Sequence, residues 1–81
     1  MARISSPASE HIGARITAVR KSQHMTVDQL GVASRIDSSN IRSYESGRAL
    51  MSLPSLVRIA EALGVEAGQL LDGVTSQMFG R

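Results

Sequence analysis

Between Arg35 and Arg48 the chain reads RIDSSNIRSYESGR. Ser38, Ser39, Asn40, Arg42 and Ser43 crowd this stretch with hydrogen-bonding groups: hydroxyls and an amide that both donate and accept, and a guanidinium that pairs with anions. Ile36, Ile41 and Tyr44 fit one buried helical face, so the polar residues fall on the other. Serine and asparagine are mediocre helix formers because their side chains compete for nearby backbone groups. A face that served only solubility would use Glu, Lys or Ala. Ser and Asn at a helix start also satisfy orphan N–H groups, so this pattern alone leaves a capping role open beside a recognition role.

Other chemistry has little to stand on. His11 and His24 are too far apart to form a local metal pair, and there is no cysteine. Nothing resembles a nucleophile elbow, and no glycine-rich phosphate loop occurs. The sequence therefore predicts no enzyme, no metal and no cofactor.

Five helices joined by short turns are expected to position the polar face, with no good strand candidate. The first starts near Ser6-Pro7, serine as cap and proline at the first helical position, and ends around Ser22 to His24. Ile12, Ile16 and Val19 are its apolar stripe. The second starts at Thr26, with Gln29 at capping-box spacing, points Leu30 and Gly31 inward, and stops near Ser34 or Arg35. The third has Asp37 as its cap and Gly47 just past its end. After a loop from Arg48 to Met51, Ser52 caps the fourth, which carries Pro54 in its first turn. Leu53, Leu56, Ile59, Ala60 and Leu63 form its stripe, and Gly64 ends it. A fifth helix over Glu66 to Leu71 closes the core through Leu70 and Leu71. The tail from Asp72-Gly73 is expected to be loose, apart from docking by Met78 and Phe79. Gly31 and Gly68 each weaken a helix by about 1 kcal/mol relative to alanine.

With 81 residues the chain has room for one small domain, and with 42% hydrophobic but only 2% aromatic residues its core must be aliphatic. The absence of cysteine fits a reducing cytoplasm, and no apolar run nears the roughly 20 residues that span a bilayer. The N-terminus lacks the apolar core of a signal peptide. Net charge is +2, unevenly placed. Arg3, Arg15, Arg20, Lys21, Arg35, Arg42 and Arg48 outnumber Glu10, Asp28, Asp37 and Glu45 by three in the front half. From Ala49 onward Arg58 and Arg81 face Glu61, Glu66 and Asp72. A basic front suits a polyanion, though ordinary surface charge explains so small an excess as well.

The second and third helices with their short turn make a helix-turn-helix unit. Around it, Ile12, Gly13, Ile16, Arg20, Met25-Thr26, Leu30, Ile36, Ile41, Tyr44, Glu45 and Gly47 stand in order. Behind it come Ser52-Leu53, Leu56, Ile59-Ala60, Ala62-Leu63-Gly64-Val65 and Leu70-Leu71. In this ordered set residues 12–71 resemble the Cro/C1-type, or XRE-like, DNA-binding family. Val27 stands where that family often has glutamine, Arg35 where it often has glycine, Ser34 at a usually apolar position, and Ala49-Leu50-Met51 where relatives are often basic or polar. An altered or strained turn at Arg35 is therefore expected.

The resemblance implies an all-α, compact five-helix lambda-repressor-like domain over residues 9–73. Residues 1–8 would be an N-terminal arm and the start of the first helix, and residues 74–81 a tail with a possible dimer contact. It implies that the third helix lies in the major groove, with Ser38, Ser39, Asn40, Arg42 and Ser43 as base readers. Thr26, Arg35 and Arg48 would contact phosphate, and Arg20 and Glu45 would form a structural ion pair. The partner would be double-stranded DNA, bound by a homodimer through Val65, Leu70, Leu71, Met78, Phe79, Leu50 and Met51. A transcription regulator, repressor-like and cytoplasmic, is the leading expectation. The rival is a protein-interaction module on the same scaffold, or an antitoxin-type subunit with a second protein chain, in which Val27, Leu50 and Met51 form the patch.

Overall fold

A computed structural model describes residues 5–80, so residues 1–4 of the segment expected to form the arm and the start of the first helix, and Arg81 of the expected tail, lie outside it. Five α-helices follow in order: α1 (Pro7–Ser22), α2 (Val27–Ser34), α3 (Ser38–Glu45), α4 (Leu53–Leu63) and α5 (Ala67–Leu70). The boundaries have local causes. Ser6 and Ser9 cap α1 reciprocally, each hydroxyl accepting from the other's backbone N–H at 3.1 and 2.9 Å, and Pro7 fills the first helical position. Thr26 and Gln29 do the same for α2 at 3.0 and 2.8 Å. Ser52 caps α4, and Gly64 stops it in the left-handed conformation at φ +73°.

Ile12 and Ile16 of α1, Leu30 of α2, Ile41 of α3, Leu56, Ile59 and Leu63 of α4, and Leu70 of α5 meet in one aliphatic core. Ile36 and Met51 enter it from the connections. Three differences from the sequence reading stand out. Leu53, expected in the buried stripe of α4, is 73% exposed, because it is the first residue of that helix and the buried face begins only at Ser55 and Leu56. The fifth helix is shorter than expected, with Glu66 and Leu71 as its caps. The tail forms a 3-10 turn, Ser76–Phe79, laid against α1.

Ser34 is buried, but its hydroxyl donates to the Leu30 carbonyl at 2.7 Å, so the polar group at this usually apolar position is satisfied. Gly31 also has a reason. A Cβ there would lie 2.9 Å from the Ile36 carbonyl, so the cost in helix propensity permits the close approach of α2 to the chain entering α3.

Candidate nucleic-acid interface

The elbow between α2 and α3 is set by two residues. Arg35 adopts φ +60°, ψ +40°, the left-handed conformation in which its N–H meets the Gly31 and Val32 carbonyls. This is the strained turn that an arginine at a glycine-favouring position implies. Ile36 then drops into the core and turns the chain into α3.

On α3, Ile41 is fully buried and Tyr44 half-buried, so the opposite side of the helix faces solvent. Ser39, Asn40 and Arg42 are exposed there, with Ser38 and Ser43 half-exposed at its edges. The side chains expected to read bases are not independent of one another. Arg42 Nη1 donates to Ser38 Oγ at 3.4 Å, and its Nη2 lies 3.7 Å from Asp28 Oδ1 on α2. Asp37 occupies the N-cap position but makes no side-chain bond to the helix backbone. Its Oδ2 accepts the Ser39 hydroxyl at 3.0 Å instead.

Three contacts hold the rear of α3 to α1. Arg20 Nε and Nη2 donate to Glu45 Oε2 and Oε1 at 2.6 and 3.0 Å, a forked pair, while Nη1 donates to the Met25 carbonyl at 2.8 Å. The hydrogen bond to Glu45 raises the Arg20 pKa above its ordinary value; burial opposes the rise and the carboxylate charge adds to it. Gly13 makes the second contact: a Cβ there would sit 2.2 Å from the Tyr44 carbonyl, so the two helix backbones touch. The third is the buried Ser9 hydroxyl, which donates to the Gly47 carbonyl at 2.7 Å. Gly47 itself has φ +81° and packs against Glu10. A short helix fixed along its back presents its front in one orientation.

The expected phosphate residues, Thr26, Arg35 and Arg48, are all exposed, Thr26 at the start of α2 and Arg48 just beyond α3. The Thr26 N–H is occupied by Gln29, which leaves its hydroxyl proton for a ligand. Of the residues expected at a dimer contact, Leu70 is fully buried and Met51 nearly so, because both fill the aliphatic core. Leu70 presents no surface; Met51 keeps a small one, lining an apolar cleft with Leu50 and Phe79. Leu50 and Phe79 are exposed, and Val65, Leu71 and Met78 are half-buried. Leu50, Leu53 and Phe79 rim one apolar cleft floored by Ile12, Leu56 and Leu71. Sequence reasoning missed the exposure of Leu53 and Val57, the Ser9–Gly47 bond, and Asp28. For Ser9 the spacing Ser6-x-x-Ser9 was a usable signal; for Asp28 there was none, since its partner lies in another helix.

A family model described as a helix-turn-helix domain matches residues 11–72. No match is found among curated proteins. Among solved structures, the restriction–modification controller protein C.AhdI from Aeromonas hydrophila shares 26% identity, with 76% of this chain and 94% of that one covered and a TM-score of 0.75. The clp gene regulator ClgR from Corynebacterium glutamicum shares 28%, covering 79% and 68%, with a TM-score of 0.76. SinR, the master regulator for biofilm formation, solved in complex with DNA, shares 27%, covering 75% and 98%, with a TM-score of 0.72. With its fold, its helix-turn-helix and its match over most of the chain, this protein belongs to the Cro/C1-type helix-turn-helix family of DNA-binding transcription regulators.

Proposed function

We propose that the protein is a sequence-specific regulator, repressor-like and cytoplasmic, that binds a palindromic operator in double-stranded DNA as a homodimer with α3 in the major groove. The observation that carries this reading is the outward polar strip of Ser39, Asn40 and Arg42 on a helix clamped from behind. Short side chains let the backbone approach base edges, where asparagine pairs bidentately with adenine and arginine reaches guanine. Thr26, Arg35 and Arg48, all exposed, supply phosphate contacts that position without reading.

One such helix reads few base pairs. Two of them, related by a two-fold axis and spaced about 34–36 Å apart, read a palindrome on one face of the duplex. The cleft rimmed by Leu50, Leu53 and Phe79, with Leu71 in its floor, is the surface we assign to the second copy. In the rival patch Leu50 is exposed, Val27 half-buried and Met51 mostly buried.

Selection from random duplex DNA tests the reading directly. Enrichment of an inverted repeat is expected, with an affinity that falls linearly with log salt at a slope of about 0.9 per phosphate contacted. Enrichment of no sequence, or a flat salt dependence, would reject it.

A further inference from the structure

We propose that Asp28 and Asp37 are positioning residues that set the base preference of α3 by pre-orienting Arg42 and Ser39, an inference that rests on the DNA-binding reading above. Both carboxylates are exposed beside the candidate interface, where a negative charge opposes phosphate and lowers affinity for every sequence. Asp28 stands in the first turn of α2 and Asp37 at the N-cap of α3, where a carboxylate gains from the helix dipole, but neutral residues also fill these positions. Asp28 and Arg42 are too exposed for their 3.7 Å pair to add much stability. Asp37 stands where a helix cap should be and bonds Ser39 instead of the helix.

Each contact changes what a reader can do. Arg42 has a long side chain that loses rotamer freedom when it binds, and holding it beforehand lowers that cost. Asp28 on one nitrogen and Ser38 on the other draw the guanidinium to one side of α3. Its remaining N–H groups are left for a base edge or phosphate. Ser39 has a single hydroxyl proton, and Asp37 takes it at 3.0 Å. The hydroxyl then offers only lone pairs outward, so Ser39 acts as an acceptor and favours the amino groups of adenine or cytosine. Two acids that repel all duplexes alike while ordering the readers for one lower affinity and raise discrimination together.

The wild type, Asp28→Asn, Asp37→Asn, Arg42→Ala and the Asp28→Asn/Arg42→Ala double variant should each be assayed at one salt concentration. The duplexes are the sequence enriched by the wild type, its single-base variants and an unrelated one. Both asparagine variants are expected to bind the unrelated duplex about two- to tenfold more tightly, the opposite sign to loss of a contact. Discrimination should nonetheless fall, by roughly three- to fivefold, the most that so exposed a contact supplies. For Asp28→Asn the loss should fall at the base pair that Arg42→Ala also relaxes, with no further loss in the double variant. For Asp37→Asn, whose neutral oxygen holds the Ser39 proton less firmly and whose NH2 can donate to the Ser39 oxygen instead, the Ser39-read position should come to tolerate guanine or thymine. Asparagine is itself a good cap, so α3 keeps its start, and thermal unfolding checks this. Asp28→Ser serves as a second removal of the same charge should Asp28→Asn misfold. Discrimination within twofold of wild type in both acidic variants, or losses from Asp28→Asn and Arg42→Ala that simply add, would overturn the inference alone. A wild type that enriches no sequence would overturn the DNA-binding reading and this inference with it.

Discussion

Arg20 grips Glu45 through two parallel bonds of 2.6 and 3.0 Å, and its third nitrogen holds the Met25 carbonyl. One guanidinium thus ties α1 to the end of α3 and to the turn that leads into α2. Both side chains are about nine-tenths buried, so removal of either strands a charge. Arg20→Ala or Glu45→Ala should cost about 3–5 kcal/mol in denaturant unfolding. Arg20→Lys should recover only part of this, because an ammonium cannot fork. Because the Arg20 pKa is raised, its contribution is complete below the ordinary arginine pKa and is lost only as pH climbs above it. Titration of Arg20 should therefore add no slope to stability between about pH 6 and 9; a slope that disappears in Arg20→Met would contradict this.

Gly13→Ala should invert the usual helix-propensity effect. In an unobstructed helix alanine gains about 1 kcal/mol over glycine. Here its Cβ meets the Tyr44 carbonyl at 2.2 Å and the Glu45 carbonyl at 2.7 Å, both backbone atoms that cannot swing aside. Net destabilisation of roughly 1–3 kcal/mol is expected, with loss of DNA binding following from displacement of α3. A more stable Gly13→Ala protein would show that the two helices are further apart than this.

Asn40→Ala should leave the fold alone and blunt recognition. The side chain is exposed, so the unfolding free energy should move by no more than about 0.5 kcal/mol. Affinity for the selected operator should fall by about 1–3 kcal/mol with non-specific affinity unchanged. Gel-shift titrations against operator and unrelated duplex measure both quantities. An unaltered operator preference would remove Asn40 from the reading set.

Arg35→Gly separates strain from contact. Relief of the left-handed backbone gains about 1 kcal/mol, and the greater freedom of glycine in the unfolded chain takes back about 0.5–1 kcal/mol. The net change in stability should be small. Arg35→Val, β-branched at φ +60°, should destabilise clearly. If Arg35 meets phosphate, both variants lower the salt slope of binding by about one; an unchanged slope would assign Arg35 to the turn alone.

Leu53→Asp should split a dimer without unfolding the protomer, since the side chain is 73% exposed and i,i+4 to the exposed Val57. Analytical ultracentrifugation should show a monomer with the wild-type melting temperature and weaker operator binding. A dimer that survives this change places the interface elsewhere.

What the sequence determined by itself was local. Ser6, Thr26, Ser52 and Gly64 mark helix ends through groups at most four residues away, and the aliphatic period assigns Ile12, Ile16, Leu30 and Ile41 to the core. The polar strip on α3 was readable for the same reason, because residues one or two positions from Ile41 lie about 100–200° around the helix from it. Tertiary structure decided which neighbours those residues meet. Leu53 and Leu70 have the same side chain, yet one is exposed and the other fully buried, because the rest of the fold covers only the second. Ser9 reaches Gly47 across 38 residues, Gly13 touches the α3 backbone, and Asp28 finds Arg42 on a different helix. Such contacts follow from the angle and distance at which helices pack, and neither composition nor spacing within one helix encodes them.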